Sequence, residues 1–454
     1  MILNNQKPKT KNEKRVYTVS LGCPKNLVDT EIMLGRLTAA GWEVVGRPEA
    51  AAVLLVNTCA FIEGACREAV DTILELARHK ETDPRKRLVV AGCLVQRHGP
   101  ELVKDLPEVD YFIGVNDFPA LPQILAGPAP LGPRLFQQAP AYAYAGVQAR
   151  YPVTPPHLAY LKIAEGCSHR CTYCVIPRLR GPQRSRPLPT LVAEARALAA
   201  SGVKELVLVA QDTTAYGREQ KGHPGLVELL RALAGIPEFA WIRLLYSHPA
   251  RITEDLLKTL AAHPRLCPYL DLPIQHGHDE VLRRMGRSYT GAQVLELTRR
   301  IRETLPRATL RTTVMVGFPG ETEAHFEALA QLIQAARFEH LGVFLYSPEA
   351  GTPAARLGPP VDRRVARRRA QTLIKMQAGL VKARLRALVG TVQDVLVEGL
   401  SPESDYLLSG RLVSQAPDID GQVYITAGEG RVGEIQRVRL TRALPYDLVG
   451  EIVE

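Results

Sequence analysis

The sequence predicts an α/β fold in three parts: a doubly wound parallel sheet, a partial (β/α)6 barrel and a small antiparallel β-barrel. Three observations carry this reading. Short apolar runs alternate with amphipathic stretches up to residue 126, and the alternation resumes from Leu158 in larger units. Beyond residue 386 it gives way to short alternating segments joined by glycine turns. At 454 residues the chain is too long for one compact domain, and a composition of 46% hydrophobic and 23% charged residues is that of a globular protein. Its 35 glycines and 34 prolines are too few for a collagen-like or wholly disordered chain.

Residues 1–14 form a polar, lysine-rich arm expected to be disordered, with no apolar signal region. No later run approaches the roughly 18 apolar residues of a membrane span, so a cytoplasmic protein with no membrane partner is expected. Over 15–126 the strand-like runs VYTVSLG, AAVLLVN, RLVVAG and VDYFIGV are separated by helix-like stretches such as NLVDTEIMLGRLTAAG and FIEGACREAVDTILELARHK. Residues 127–152 are crowded with proline, alanine and glycine and read as a linker. Over 153–386, LAYLKIAEG, ELVLVAQ, WIRLLYS, YLDLPIQ, LRTTVMVG and HLGVFLYS give six βα units. These fit a partial barrel better than the usual eight-fold one of ~250 residues. Over 387–454, TVQDVLVEGL, YLLSGRLV, GQVYITAG, RVGEIQRVRL and DLVGEIV predict five barrel strands.

Eight cysteines scattered over this length are too sparse for a disulfide scaffold and point to metal or redox chemistry. Cys167, Cys171 and Cys174 form a C-x3-C-x2-C directly after the first barrel strand. Three thiolates in a tight loop can each reach a different iron of an iron–sulfur cluster, leaving the fourth iron open to a chelating molecule. The bland alternative is a zinc knuckle completed by His169, or three buried thiols. Cys23, Cys59 and Cys93 end the strings VSLGC, LVNTC and VVAGC, each just beyond a predicted parallel strand. Carboxyl ends of parallel strands share one edge, so these three thiols can also converge. Singly, each would more often be a small buried hydrophobe, the reading kept for Cys66 and Cys267.

These patterns resemble the radical S-adenosylmethionine enzymes, and the upstream strand-end cysteines with a terminal β-barrel resemble their methylthiotransferase branch. The strings that carry the resemblance are SLGCPKNLVDTE, EGCSHRCTYCVIPRLRGPQRSR, LPIQHGHDEVLRRMGRSYT and VGFPGETEAHF. The resemblance implies a methylthiotransferase N-terminal domain, a radical S-adenosylmethionine (SAM) barrel and a TRAM domain from residue 387. It implies two 4Fe-4S clusters. Cys167, Cys171 and Cys174 would hold the one whose open iron binds SAM, and Cys23, Cys59 and Cys93 an auxiliary one carrying the sulfur to be inserted. SAM would serve as radical source and as methyl donor. No catalytic residue is expected beyond these ligands.

Other candidates are cofactor contacts implied by the family. Tyr173 resembles the aromatic that packs on adenine. Gln211, beside Asp212, lies where the methionine amine is contacted, although the usual glycine-glycine-glutamate is missing here. Gly317 and Gly320 match the glycine-rich strand end beside the cofactor. Ser247, His248, Gln275 and His276 stand at strand ends, with capping or packing as the alternative to substrate contact.

Within the branch the acceptor is either a transfer-RNA adenosine or an aspartate of a small-subunit ribosomal protein. GCPKN, LPIQHGH and SQAPDIDG resemble the ribosomal-protein type. Residues 387–454 carry eleven acidic and five basic residues, which disfavours a phosphate backbone and suits a basic protein, with Asp418 and Asp420 expected on the docking face. Against this, the segment Arg356 to Arg386 holds ten basic residues and one acidic, which leaves RNA contact open, including contact with ribosomal RNA around the target in an assembled ribosome. A reducing electron-transfer protein is the other implied partner. A transfer-RNA methylthiotransferase and a non-catalytic iron–sulfur protein are the alternative readings.

Overall fold

Residues that are apolar on both faces of a strand belong in the middle of a parallel sheet, and Val53–Thr58, buried throughout, is such a strand. In a computed structural model the described residues are 14–453, save Tyr142, Ala143, Ala145 and Pro402. The arm expected over 1–14 lies outside them except for Lys14, whose ammonium donates to the Ala40 carbonyl at 2.9 Å. The chain divides into two compact units, residues 1–153 with 176–181, and 154–175 with 182–454.

The first unit runs β1 (Arg15–Ser20), α1 (Pro24–Ala39), β2 (Glu43–Val44), β3 (Val53–Thr58), α2 (Glu63–Thr82), β4 (Arg87–Gly92), α3 (Cys93–Asp105), β5 (Tyr111–Ile113), α4 (Leu121–Ala126) and β6 (Arg134–Phe136). All strands pair in parallel in the order β2-β1-β3-β4-β5-β6, so the order reverses beside β1. Ligands of such sheets bind at that reversal, beyond the strands' carboxyl ends. The stretch expected as a linker is more than that: β6 lies in it, and Arg150 pairs with Glu31 of α1. A Pro- and Ala-rich composition hid a strand of only three residues. The helix α5 (Ile176–Arg180) also belongs to this unit, although it follows the C-x3-C-x2-C motif in the chain.

The second unit opens with β7 (Leu158–Lys162), β8 (Ala164–Glu165) and β9 (Arg184–Ser185). It continues through α6 (Leu188–Ala200), β10 (Glu205–Val209), α7 (Leu226–Ala234), β11 (Trp241–Leu244), α8 (Glu254–Ala262) and β12 (Tyr269–Asp271). Then come α9 (Asp279–Arg284), α10 (Gly291–Thr304), β13 (Thr309–Val316), α11 (Glu323–Ala336), β14 (His340–Leu345) and α12 (Arg363–Leu388). Two parallel three-stranded sheets, β11-β10-β7 and β12-β13-β14, supply the six strands expected of the partial barrel. Leu161, Leu208, Leu270, Leu310 and Val314 fill its core.

Strands β15 (Val392–Ser401), β16 (Ser404–Leu412), β17 (Val423–Ala427), β18 (Ile435–Ala443) and β19 (Leu448–Ile452) close a barrel in the order β15-β16-β17-β19-β18. The expected antiparallel pairing holds except between β17 and β19, which run parallel. A closed ring of five strands cannot alternate direction all the way round, so one parallel pair is forced.

Residues 411–420 of this small barrel dock on the amino ends of the six parallel strands, and each strand contributes one polar side chain. Glu205 of β10 takes Arg243 of β11 at 2.6 Å and Arg411 at 2.5 Å. Although burial acts to raise it, these two guanidinium groups hold the Glu205 carboxyl below its usual range. Tyr160 of β7 donates to Asp418 at 3.1 Å, and Tyr269 of β12 and Arg311 of β13 reach Asp420 at 2.6 and 2.7 Å. His340 of β14 stands 3.2 Å from the same carboxylate. Asp420 therefore does not face a substrate as expected, whereas Asp418 stays exposed. Asp420 is fully covered, and part of the acidic excess of the small barrel balances charge inside the unit. Asp420→Ala leaves the buried Tyr269 hydroxyl and the half-buried Arg311 without that partner, and urea unfolding is expected to show a loss of ~3–5 kcal/mol. Lysine at the exposed Asp394 should change stability by less than ~0.5 kcal/mol.

Candidate metal centres

The auxiliary cysteines are placed by three neighbouring strands. Ser20 of β1 is in register with Asn57 of β3, and Thr58 of β3 with Gly92 of β4. Cys23, Cys59 and Cys93 therefore leave adjacent strands at one level of the sheet, about 4.8 Å apart strand to strand. Gly22 and Gly92, the residues before two of them, have φ of +89° and +101°, open to glycine at little cost. A Cβ on Gly22 would stand 2.9 Å from the Cys59 sulfur, so the missing side chain is what lets the loops converge.

The thiols respond to one another and to nearby cations. Burial, reinforced by Cys93 and Cys23, pushes the Cys59 thiol up to about 11, and burial also raises Cys93. At Cys23 burial acts the same way, but the charges of Lys25 and Arg180 and the N–H groups of Asn26 and Lys25 hold the thiol below its ordinary value. Arg180 is buried, donates from Nη2 to the Cys93 sulfur at 3.3 Å and to Asn26 Oδ1 at 3.2 Å, and pairs through Nη1 with Asp29 at 2.8 Å. Asp29 also accepts from the Tyr144 hydroxyl. This explains the polar residues of SLGCPKNLVDTE: Asn26, Asp29, Thr30 and Glu31 are buried because they tie α1 to the loops.

In the second unit Cys167, Cys171 and Cys174 follow β8. The backbone N–H of His169 reaches the Cys167 sulfur, and burial raises that thiol. His169 itself gives Nε2 to Asp212 at 2.6 Å and stacks on His248 with 4.3 Å between centroids. That carboxylate also holds Arg251 at 2.6 Å, so His169 and Asp212 brace the cysteine loop. Arg287 donates to the Cys171 sulfur at 3.4 Å. Thr172 N–H meets the Met285 carbonyl at 3.0 Å, and a Cβ on Gly286 would stand 2.6 Å from the Arg170 carbonyl. The end of α9 is therefore a seat for the loop, which accounts for LRRMGR in the sequence.

The remaining candidates divide. Gln211 donates to Glu165 at 3.0 Å, while its Oε1 is buried with no protein partner. Tyr173 packs beside Met285, Phe318 and Tyr346. The glycine pair closes a turn at the end of β13. A Cβ on Gly317 would meet Ala366 at 2.9 Å and one on Gly320 the Arg284 guanidinium at 2.2 Å, so the space belongs to the protein itself. Glu321 closes the same turn by accepting from Gly317 N–H at 2.7 Å. His248 caps Ala250, and Gln275 adopts φ of +68°. Burial lowers His276 to about 3, so it is neutral; its Nδ1 accepts from His278 N–H, which leaves its Nε2 as a buried donor without a partner.

Both side-chain atoms of Gln183, Gln211 Oε1, Ser247 Oγ, His276 Nε2 and Tyr346 Oη are buried and unmatched by protein. These residues follow the carboxyl ends of the barrel strands or, with Gln183, the cysteine loop. Buried polar atoms rarely stay unpaired, so the set fits a polar ligand beside the Cys167 loop. Each set of three thiols likewise fits a cluster with one iron left open.

A third grouping lay outside the sequence reading. Ligand atoms of His278, Glu280 and His325 fall within 4.8 Å of one another. Both imidazoles, however, accept a backbone N–H at Nδ1, from Glu280 and Thr322 at 3.3 Å, which keeps the proton on Nε2. Metal-bound histidines instead donate from their second nitrogen. The grouping is two helix caps meeting one carboxylate.

Family models match three stretches: the radical SAM superfamily at residues 161–333, the uncharacterized protein family UPF0004 at 15–114 and the TRAM domain at 389–453. Among solved structures, the radical SAM methyltransferase TsrM from Kitasatospora setae aligns with TM-score 0.55 at 15% identity, over 84% of this chain and 78% of that one. The cobalamin-dependent radical enzyme OxsB aligns with TM-score 0.52 at 11% identity, over 80% and 56%. Both likenesses concern the fold. Sequence relatives are much nearer. The ribosomal protein uS12 methylthiotransferase RimO of Geobacter sulfurreducens is 49% identical over 97% of this chain and 99% of its own. That of Sorangium cellulosum is 46% identical over 98% and 92%. With such identity across all three parts of the fold, the chain belongs to the ribosomal protein uS12 methylthiotransferase family.

Proposed function

We propose that this chain adds a methylthio group to the β-carbon of an aspartate in ribosomal protein uS12, using two 4Fe-4S clusters and SAM. The observation that carries the reading is the division of six cysteines into two three-thiol sets, one at adjacent strand ends of the parallel sheet and one on the first loop of the barrel. Cys167, Cys171 and Cys174 would hold a cluster that, when bound with SAM, supplies one-electron cleavage chemistry. Cys23, Cys59 and Cys93 would hold the auxiliary cluster. The protein's own part is to hold and shield these groups. Arg287 and the His169 N–H donate to the first set, while Gln183, Gln211, Ser247 and His276 offer polar atoms to the nucleoside and amino-acid portions of SAM. Tyr173 offers its ring. Gly317 and Gly320 would bring their backbone close beside the cofactor.

Two further partners belong to the same reading. A reducing electron-transfer protein must deliver electrons. RNA contact near the substrate is supported by α12, which exposes Arg363, Arg364, Arg367, Arg368, Lys375 and Arg386, while Arg369 turns inward onto Glu321 at 2.7 Å. A cytoplasmic location suits this substrate, and among the described residues no helix is long and apolar enough to cross a membrane.

Anaerobic, reconstituted protein should be incubated separately with uS12, with assembled small subunits and with transfer RNA, and the products weighed by mass spectrometry. A methylthio gain on one uS12 aspartate is expected. A gain on transfer RNA with none on either protein substrate would establish the rival acceptor.

A further inference from the structure

The segment α5 carries a cation into the unit that holds the auxiliary cysteines. Arg180 is 3% exposed there, and each polar contact it makes fixes its orientation. Asp29 takes Nη1 at 2.8 Å, Asn26 Oδ1 takes Nη2 at 3.2 Å, and the same Nη2 faces the Cys93 sulfur at 3.3 Å. Asp29 is braced in turn by the Tyr144 hydroxyl, and the Asn26 side-chain amide by the Leu21 carbonyl at 2.8 Å. The guanidinium is therefore anchored on one side by a carboxylate and presents its other side to a thiol. If the arginine served only to dock α5, the Asp29 pair would suffice; the contact with sulfur is additional.

A cluster held by three thiolates in a buried site is a net anion, and reduction adds a further negative charge. Burying that charge is costly unless a fixed cation or N–H donor faces it. Donors to the sulfurs stabilise the reduced state more than the oxidised one and so raise the potential. We propose that Arg180 is a positioning and charge-compensating residue of the auxiliary centre, fixed by Asp29 and Asn26 so that its N–H bond to the Cys93 sulfur raises that centre's reduction potential. This rests on the assignment of Cys23, Cys59 and Cys93 as cluster ligands.

The test uses full-length protein in which Cys167, Cys171 and Cys174 are alanine, so that only the auxiliary centre is loaded. Iron content and the midpoint potential, followed by electron paramagnetic resonance, are compared for that background and with R180K, R180Q or R180M added. Lysine keeps the charge; glutamine keeps a polar donor without the charge and guards against misfolding in the methionine variant. A potential lowered in R180Q and R180M, with R180K closer to the background and iron unchanged, is the expected result. Unchanged potentials at full iron content overturn the proposal and leave Arg180 a docking residue. A background chain that binds no iron overturns the ligand assignment as well, so the two failures are told apart.

Discussion

Alanine at Cys167, Cys171 and Cys174 together is expected to abolish formation of 5′-deoxyadenosine from SAM under dithionite. The loop loses every thiolate that could hold a cluster there, while the other unit keeps its own. Iron should fall to about half, since each three-thiol set would hold one cluster. The fold should survive. The loop is held by bonds that do not involve these sulfurs: Thr172 to Met285 and Arg284, His169 to Asp212. Thermal unfolding of the apo protein should therefore shift by only a few degrees, equivalent to about 1 kcal/mol. Undiminished iron together with continued 5′-deoxyadenosine formation would show that the ligands lie elsewhere. Cys66→Ala and Cys267→Ala serve as controls and should keep full iron.

The complementary change, alanine at Cys23, Cys59 and Cys93, should separate the two chemistries. Iron again falls to about half, but 5′-deoxyadenosine is still produced, because the barrel unit keeps its three thiols. Methylthiolated product should be absent. Product from this triple variant would refute the auxiliary role. In the apo protein the stability change should be modest: Cys23 and Cys59 are only half-buried, and Cys93 is the one with a fixed partner in Arg180.

The placement of both cysteine sets was legible because it follows from local rules. Parallel strands announce themselves as apolar runs, their carboxyl ends share an edge, and a glycine of left-handed φ precedes Cys23, Cys93 and Cys167 in the sequence itself. What surrounds the sulfurs was not legible. Arg180 sits in VIPRLRG, where nothing in spacing or charge distinguishes it from Arg178; only the fold shows that one is buried beside Cys93 and the other is not. Arg287 was hidden in the same way at the end of α9. Charge was the more misleading signal. Counting acids over 387–454 treats each as solvent-facing, yet Glu398 and Asp420 neutralise arginines of their own unit. Glycine was ambiguous: at Gly22 a side chain would strike a cysteine, whereas at Gly317 and Gly320 it would strike the protein's own packing.

Because residues 411–420 dock on the amino ends of the barrel strands, the two parts hold one set of interior charges in common. Glu205 and Arg311 belong to the strands, while Arg411 and Asp420 come from the small barrel. A chain ending at Leu388 would strand Glu205 and Arg311 with half of their counter-charges gone. The small barrel is thus no detachable appendage: cutting it away should lower the melting temperature of what is left.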